Sequence, residues 1–376
     1  MIDDQLDWLL RASERTTLPD SEIREHLSPE LLEATGGPGG FRARLAAVGA
    51  LTLREVGTAR DDTVVRALVR GGGSDFRLTM GIDESGRIRE TGLAAALAPP
   101  ASWAELDERV RALGIRIGLA AAEIDQTGHC RLVHGIDADT ARPIGSNFKL
   151  YVLGAIGRAV AAGTAAWNEL LPIRDELKRP PSGSMQNLAA GTELPLTDYA
   201  DKMIGISDNT ATDHLMDRVG RDAVERELTL LGHSNPGSNI PFMTTGEFFA
   251  VKQDGPGGWT EPRRIDEVEW FATPMDLCRA HAGLGQLGQP EIEHALTRTD
   301  GGLDLDSAVF PVVRYKAGSE PGVCAFTYSA RTVDGREFAV VLLMSDPESA
   351  LDMMAVTLDG QAAVRGAFGL LAAGQP

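Results

Sequence analysis

Ser146 and Lys149 stand three residues apart in Gly145-Ser146-Asn147-Phe148-Lys149. If this stretch is helical, the hydroxyl and the amine share one face of a single turn. The next residues, Leu150, Tyr151, Val152, Leu153 and Ile156, are apolar almost all round, the mark of a buried helix. Burial lowers the pKa of an amine by desolvation, so Lys149 can take the Ser146 proton near neutral pH and leave a nucleophile. A helix N-terminus at Ser146 also favours the negative charge that develops there. Two further groups lie downstream. Ser207-Asp208-Asn209 offers a second hydroxyl to relay a proton, and in Asn209 an amide that can hold Lys149 or donate to a substrate. Lys316-Ala317-Gly318-Ser319 follows the strand-like run 311–315. The backbone N–H of Ser319, paired with that of Ser146, can hold an oxyanion. Lys316 would supply positive charge for a substrate carboxylate.

Taken singly, each group has a plain structural reading. Ser146 can cap a helix, Lys149 can snorkel to the surface, Ser-Asp-Asn makes a good helix start, and Lys316 can end a strand. The three together, in this order, point to serine acyl transfer. Lysine usage points the same way. Of 36 Lys+Arg only five are lysines, at 149, 178, 202, 252 and 316, and two of the five fall in these groups. Arginine cannot lose its proton in a protein, whereas a buried lysine can.

The elements that must hold these residues form two units, both α+β. Residues 1–95 begin with helical spacing at Leu6, Leu9 and Leu10. A second helix, capped by Asp20 or Ser21, carries Ile23, Leu27, Leu31 and Leu32 and is broken by the glycine tract 36–40. A third runs over 42–48. Strand patterns follow at 51–55, 63–69, 76–82 and 87–91, with turn signals at 71–73 and 84–86. Helices before a strand meander predict a small α+β domain. Residues 96–104, with Pro99-Pro100, read as a linker. From 105 to 376 the pattern is strands at 115–124 and near 130–133 with a turn at Gly128. Helices then run to about 230, and Gly, Pro and polar residues fill 232–270. A helix follows at 274–287, strands at 309–316, 322–332 and 337–344, and a closing helix at 347–371. Early and late strands can join one antiparallel sheet with helices on its faces. The long 232–270 segment is a candidate functional loop.

Composition narrows the partners. A net charge of −18 disfavours nucleic acid or an anionic membrane surface. No run of about 18 apolar residues predicts a membrane span. The acidic start, Met1-Ile2-Asp3-Asp4, does not read as a secretory signal, so the expectation is a cytoplasmic protein. Cys130, Cys278 and Cys324 are odd in number and widely spaced, which indicates neither a disulfide framework nor a zinc site. The seven histidines show no H-x-x-x-H spacing, so neither metal nor cofactor is called for.

S-x-x-K, S-D-N and K-T-G together form the catalytic set of class A β-lactamases and penicillin-binding proteins. Residues 105–374 resemble this penicillin-recognising serine family in motif order and in context. The resemblance implies a β-lactamase/transpeptidase-like domain with Ser146 as nucleophile. It implies Lys149 as base, Ser207 as proton relay, and Asn209, Lys316, Gly318 and Ser319 at the substrate. Longer stretches, 167–173, 178–183, 206–215 and 241–245, are similar to a two-domain subgroup known from the clavulanic-acid biosynthetic cluster. In that subgroup an NTF2-like (steroid-isomerase-like) α+β domain comes first, which residues 1–95 fit.

Three departures matter. The family's loop glutamate, in an E-x-x-L-N pattern, is missing from 232–270. Glu247 is the nearest carboxylate by spacing, although its neighbours suggest a helix start. Ala317 replaces the hydroxyl of K-T-G. Phe326 stands where many class A enzymes place a carboxylate-binding arginine. With Cys324 and Tyr328 it either lines an apolar pocket or belongs to the core. These changes predict an acyl-enzyme former acting on a small ester, amide or β-lactam-like substrate less anionic than penicillin. The expected activity is esterase- or amidase-like, in specialised-metabolite biosynthesis. The alternatives are a binding or sensing module without turnover, and a true β-lactamase or D,D-peptidase.

Overall fold

The computed structural model describes residues 2–56, 63–253 and 261–374. The chain divides into two compact units, Met1–Pro99 with Gly302–Asp304, and Pro100–Gly301 with Leu305–Pro376.

The first unit places four helices, α1 (Ile2–Ser13), α2 (Asp20–His26), α3 (Pro29–Thr35) and α4 (Gly37–Val48), before a meander. The meander is β1 (Thr52–Val56), β2 (Val64–Gly71), β3 (Ser74–Ile82) and β4 (Ile88–Ala95), paired antiparallel in sequence order. Alternate residues Val65, Ala67, Val69, Leu78 and Met80 turn inward and share a core with Leu6, Leu9, Ile23 and Leu27. Two expectations are corrected. The single helix through Ile23 and Leu32 is two, because Pro29 holds Ser28 extended and Ser28 caps the second helix by accepting from Leu31 N–H at 3.1 Å. The glycine tract does not end helical structure. Gly36 and Gly37 both take a positive φ, +82° and +77°, and α4 starts at once at Gly37. A side chain on Gly40 would strike the Thr35 carbonyl, so glycine lets the two helices meet there.

The second unit is built on a five-stranded antiparallel sheet. Its elements in order are α5 (Trp103–Arg111), β5 (Arg116–Ile124), β6 (Cys130–Ile136), β7 (Arg142–Pro143) and α6 (Lys149–Ala161). Then come β8 (Leu170–Pro172), β9 (Glu193–Pro195), α7 (Leu196–Gly205), α8 (Asn209–Val219), α9 (Arg221–Leu230) and α10 (Thr245–Lys252). The chain closes with β10 (Phe271–Ala272), α11 (Pro274–Gln286), α12 (Pro290–Thr297), β11 (Val312–Glu320), β12 (Val323–Arg331), β13 (Glu337–Ser345) and α13 (Met353–Ala373). The sheet order β11-β12-β13-β5-β6 joins the two early strands to the three late ones. One face packs Ala120, Ala122 and Ala339 against Met275, Cys278 and Ala282 of α11. The other face packs against α13, where Gly360 meets Phe326 and Met344.

Several expectations here are also corrected. Residues 162–195 hold no α-helix: Pro172, Pro180-Pro181 and Pro195 break the pattern, leaving the β8–β9 pair and two single 3-10 turns, Asp175–Leu177 and Met185–Asn187. The long segment 232–270 contains α10, and its residues 254–260 lie outside the described residues. Lys316 does not end its strand; β11 runs on to Glu320. Cys130 and Cys278 form a disulfide between β6 and α11, Cα atoms 6.5 Å apart. A separation of 148 residues shows no local motif, so spacing gave no hint of it. Cys324 remains a free, buried thiol. Among the described residues no helix is long and apolar enough to cross a membrane, and no cluster of three metal-ligating side chains occurs.

Candidate active site

Ser146 sits on a 3-10 turn, Gly145–Phe148, that leads directly into α6. The turn is clamped by backbone on two sides. Ile144 N–H donates to the Trp270 carbonyl at 3.0 Å, and Gly318 and Ser319 of β11 press against Gly145 and Ser146. A Cβ on Gly318 would lie 2.6 Å from Ser146 N and 2.8 Å from the Gly145 carbonyl carbon. A Cβ on Gly145, whose φ is +49°, would lie 3.0 Å from Ser319 N. Two glycines therefore let the backbone amides of Ser146 and Ser319 approach, as an oxyanion pair requires. Asn147 braces the turn from behind. Its Nδ2 donates to the Ile144 carbonyl at 2.9 Å, and its Oδ1 accepts from Thr327 Oγ1 at 3.1 Å.

Lys149 is the first residue of α6 and is fully buried. Its Nζ meets three neutral oxygens: the Ser207 carbonyl at 2.6 Å, Ser207 Oγ at 3.0 Å and Asn209 Oδ1 at 2.7 Å. Burial pulls its pKa down to about 7, against an opposing pull from Asp208 and Asp213. Lys316, also buried, reaches the same hydroxyl from β11: its Nζ lies 3.1 Å from Ser207 Oγ and 2.5 Å from the Ala317 carbonyl. Burial and then the Lys149 charge hold Lys316 well below the ordinary lysine range. Two amines around one hydroxyl do not both stay protonated, and the Ser207 O–H can pass a proton between them.

Ser207 is held in a left-handed conformation, φ +57°, which is costly for a serine and aims its side chain at the two amines. Its neighbour Asp208 caps α8, accepting from Ala211 N–H at 2.8 Å, and also accepts from Ser184 and Met185 N–H at 2.6 and 2.8 Å. Ser-Asp-Asn thus makes a helix start that also reaches inward: Asp208 fixes the turn while Ser207 and Asn209 meet Lys149.

The structure therefore groups Lys149, Ser207, Asn209 and Lys316 by direct contact, with Gly318 and Ser319 beside the Ser146 turn. Glu247 is engaged elsewhere. It completes a capping box with Thr244 at the start of α10 and pairs with Arg221 at 2.6 Å. Partial burial pushes its pKa up, but Thr244 N–H and Arg221 outweigh this and leave it lowered. Phe326 packs as a core residue between sheet and helix, against Gly360, with Tyr328 and Cys324 buried on the same strand. Sequence reasoning passed over Asn147, Thr327 and a buried trio, Lys252, Glu269 and Glu320. Lysine usage could have found the last, since Lys252 is the third of five lysines that is buried.

Comparison with known proteins fits this geometry. Residues 103–285, just under half of the chain, match the β-lactamase enzyme family, a stretch that includes Ser146, Lys149, Ser207 and Asn209. Among solved structures, a β-lactamase from Sphaerobacter thermophilus is 25% identical, with a TM-score of 0.55, covering 73% of this chain and 99% of its own. A mutant of PBP-A, as an acyl-enzyme complex with penicillin G, is 19% identical, with a TM-score of 0.52 and coverages of 73% and 99%. A β-lactamase from Francisella tularensis is 15% identical, with a TM-score of 0.55 and coverages of 71% and 98%. No curated protein sequence matches the chain. The second unit has the β-lactamase/transpeptidase-like fold.

Proposed function

We propose that the second unit is a serine hydrolase or acyltransferase that forms an acyl-enzyme on Ser146, acting on a small ester or amide. One observation carries the reading: a buried amine, a hydroxyl and a second amine are in contact beside a serine turn whose backbone amide meets a strand edge. Ser146 Oγ attacks the substrate carbonyl and its proton passes to the neutral Lys149 amine. The oxyanion is held by the N–H groups of Ser146 and Ser319. When the tetrahedral intermediate collapses, Ser207 gives its proton to the departing alcohol or amine and recovers one from the Lys149 ammonium. Water or another acceptor then takes the acyl group.

Slow β-lactam hydrolysis is part of the proposal. It rests on the missing E-x-x-L-N pattern, on Glu247 being tied to Thr244 and Arg221, and on Ala317 in place of a hydroxyl residue. A role in specialised-metabolite biosynthesis rests on the resemblance to the clavulanic-acid subgroup. Reading the first unit as NTF2-like rests on its helices preceding a meander. The Cys130–Cys278 disulfide favours an oxidising compartment over the cytoplasm expected from the sequence.

The test is intact mass after incubation with penicillins, cephalosporins and activated esters, beside Ser146→Ala. A Ser146-dependent adduct or turnover is expected, and its absence with every substrate would sink the reading. A stable adduct with no product from any substrate would favour a binding or sensing module. The acylated PBP-A relative favours a second reading, a true β-lactamase or D,D-peptidase, and rapid penicillin turnover would establish it.

A further inference from the structure

Beyond the motif residues, the interior holds a second set of ionisable side chains against the same turn. Lys252 ends α10, Glu320 ends β11, and Glu269 lies on the chain leading into β10; all three are buried. Lys252 Nζ lies 3.1 Å from Glu320 Oε1 and donates to the Arg263 carbonyl at 2.5 Å. Glu269 Oε1 accepts from Trp270 N–H at 2.9 Å. The remaining oxygens, Glu269 Oε2 and Glu320 Oε2, are buried and have no donor among the described residues. The Glu320 carboxyl lies close enough to Glu269 to raise its pKa.

Both carboxylates are one residue away from the walls of the serine turn. Glu320 follows Ser319, whose N–H borders Gly145. Glu269 precedes Trp270, whose carbonyl takes the Ile144 N–H and whose ring stacks on Phe148 with centroids 3.8 Å apart. Phe248 of α10 also stacks on Trp270 at 4.8 Å and lies under the Lys252 ammonium at 5.2 Å. Two walls of the turn, one strand end and one loop, are thus tied together at a single buried point.

We propose that Lys252, Glu320 and Glu269 are positioning residues, which fix the end of β11, and with it the Ser319 N–H, against the loop that closes on the Ser146 turn. The assignment rests on the acyl-enzyme reading above. A proton kept on Glu269 would supply a donor among these buried carboxyl oxygens and leave one negative charge opposite Lys252. The titratable groups facing Glu269 are Glu320 from β11 and Lys252 from α10. Burial first, then the Glu320 charge, raises the Glu269 pKa well above its ordinary 4.5. A raised carboxyl pKa contributes stability that is present below the unfolded pKa and lost as pH rises through the folded one. Losing the proton would place two carboxylates side by side and release the strand end.

The test uses the full chain and two probes, p-nitrophenyl acetate and penicillin G, reading the Ser146 adduct by intact mass together with thermal midpoints from pH 5 to 9. Glu269→Gln mimics the protonated acid and removes its titration. Its midpoint should gain on the wild type as pH rises. Glu320→Gln is expected to lower the maximal acylation rate by about tenfold or more with little change in half-saturating probe, the pattern of a displaced oxyanion donor. If that variant does not fold, Lys252→Met with Glu320→Gln removes the charges together; it should fold and still acylate slowly. Wild-type rates in the folded Glu320 variants would overturn the positioning role, and parallel midpoint curves for wild type and Glu269→Gln would overturn the proton on Glu269. A wild type that forms no adduct with either probe defeats the hydrolase reading and the oxyanion role with it. The midpoint comparison would still decide whether Glu269 keeps its proton.

Discussion

Lys149 and Lys252 are both buried at helix ends, yet their surroundings differ in one respect. Lys149 meets only neutral oxygens, from Ser207 and Asn209. Lys252 meets a carboxylate, Glu320. An amine desolvated among neutral acceptors becomes available as a base near pH 7, whereas an ammonium opposite a carboxylate is a fixed charge that holds structure. Burial alone does not assign a lysine to chemistry; the acceptor opposite it does. The same contrast separates the two stretches of β11, where Lys316 serves the Ser207 hydroxyl and Glu320, four residues on, serves the loop.

Lys149→Arg should separate the two lysines most strongly. Arginine keeps the charge and cannot be a base, so the acylation rate should fall by about 10⁴-fold or more while the protein still folds. Burst kinetics with an activated ester would read it, and a loss under tenfold would remove Lys149 from the chemistry. Next in size is Gly318→Ala. Its Cβ would press on Ser146 N and the Gly145 carbonyl carbon, so acylation should drop about 10²-fold. An unchanged rate would mean that β11 does not set the oxyanion site. Away from the site, reducing the Cys130–Cys278 bridge should cost roughly 3–5 kcal/mol, because it closes a loop of well over a hundred residues. Denaturant midpoints with and without reductant, beside Cys130→Ser, would show this, and identical midpoints would mean no bridge in solution. The smallest effect is Glu247→Gln. Losing part of a capping box and an exposed ion pair should cost about 1 kcal/mol and leave acylation and deacylation within about twofold. A large loss of deacylation alone would make Glu247 the water-activating group after all.

The grouping of the proposed site residues was more legible in the sequence than the boundaries of the elements around them. Ser146, Lys149, Ser207, Asn209 and Lys316 stand out because the proposed reaction would need such groups at such spacings, and Lys149, Ser207, Asn209 and Lys316 do meet in the structure. The strands of the main sheet were found within a few residues because they have clear periods. What spacing does not show is contact between distant segments. Glu320 reads as a polar strand end until Lys252 and Glu269, from two other elements, are placed against it. Cys130 and Cys278 look unrelated until β6 and α11 pack on one sheet. Boundaries failed where one residue overrode a pattern: Pro29 splits a continuous apolar helix, and Gly37 to Gly40 stay helical because α3 and α4 need the close approach. Phe326 was open between pocket and core, because alternation gives a face but not what covers it; here the cover is α13.

The chemistry proposed for Ser146 turns on Lys149 working as a neutral amine. The direct measurement is the pH dependence of Ser146 acylation by p-nitrophenyl acetate from pH 5 to 9, for wild type and Lys149→Arg. With a folded-state pKa of about 7, acylation should climb about tenfold per pH unit below that value and level off above it. The arginine variant should stay near the uncatalysed background throughout. A wild-type rate that is flat across this range, or that is still rising steeply at pH 9, would contradict the account.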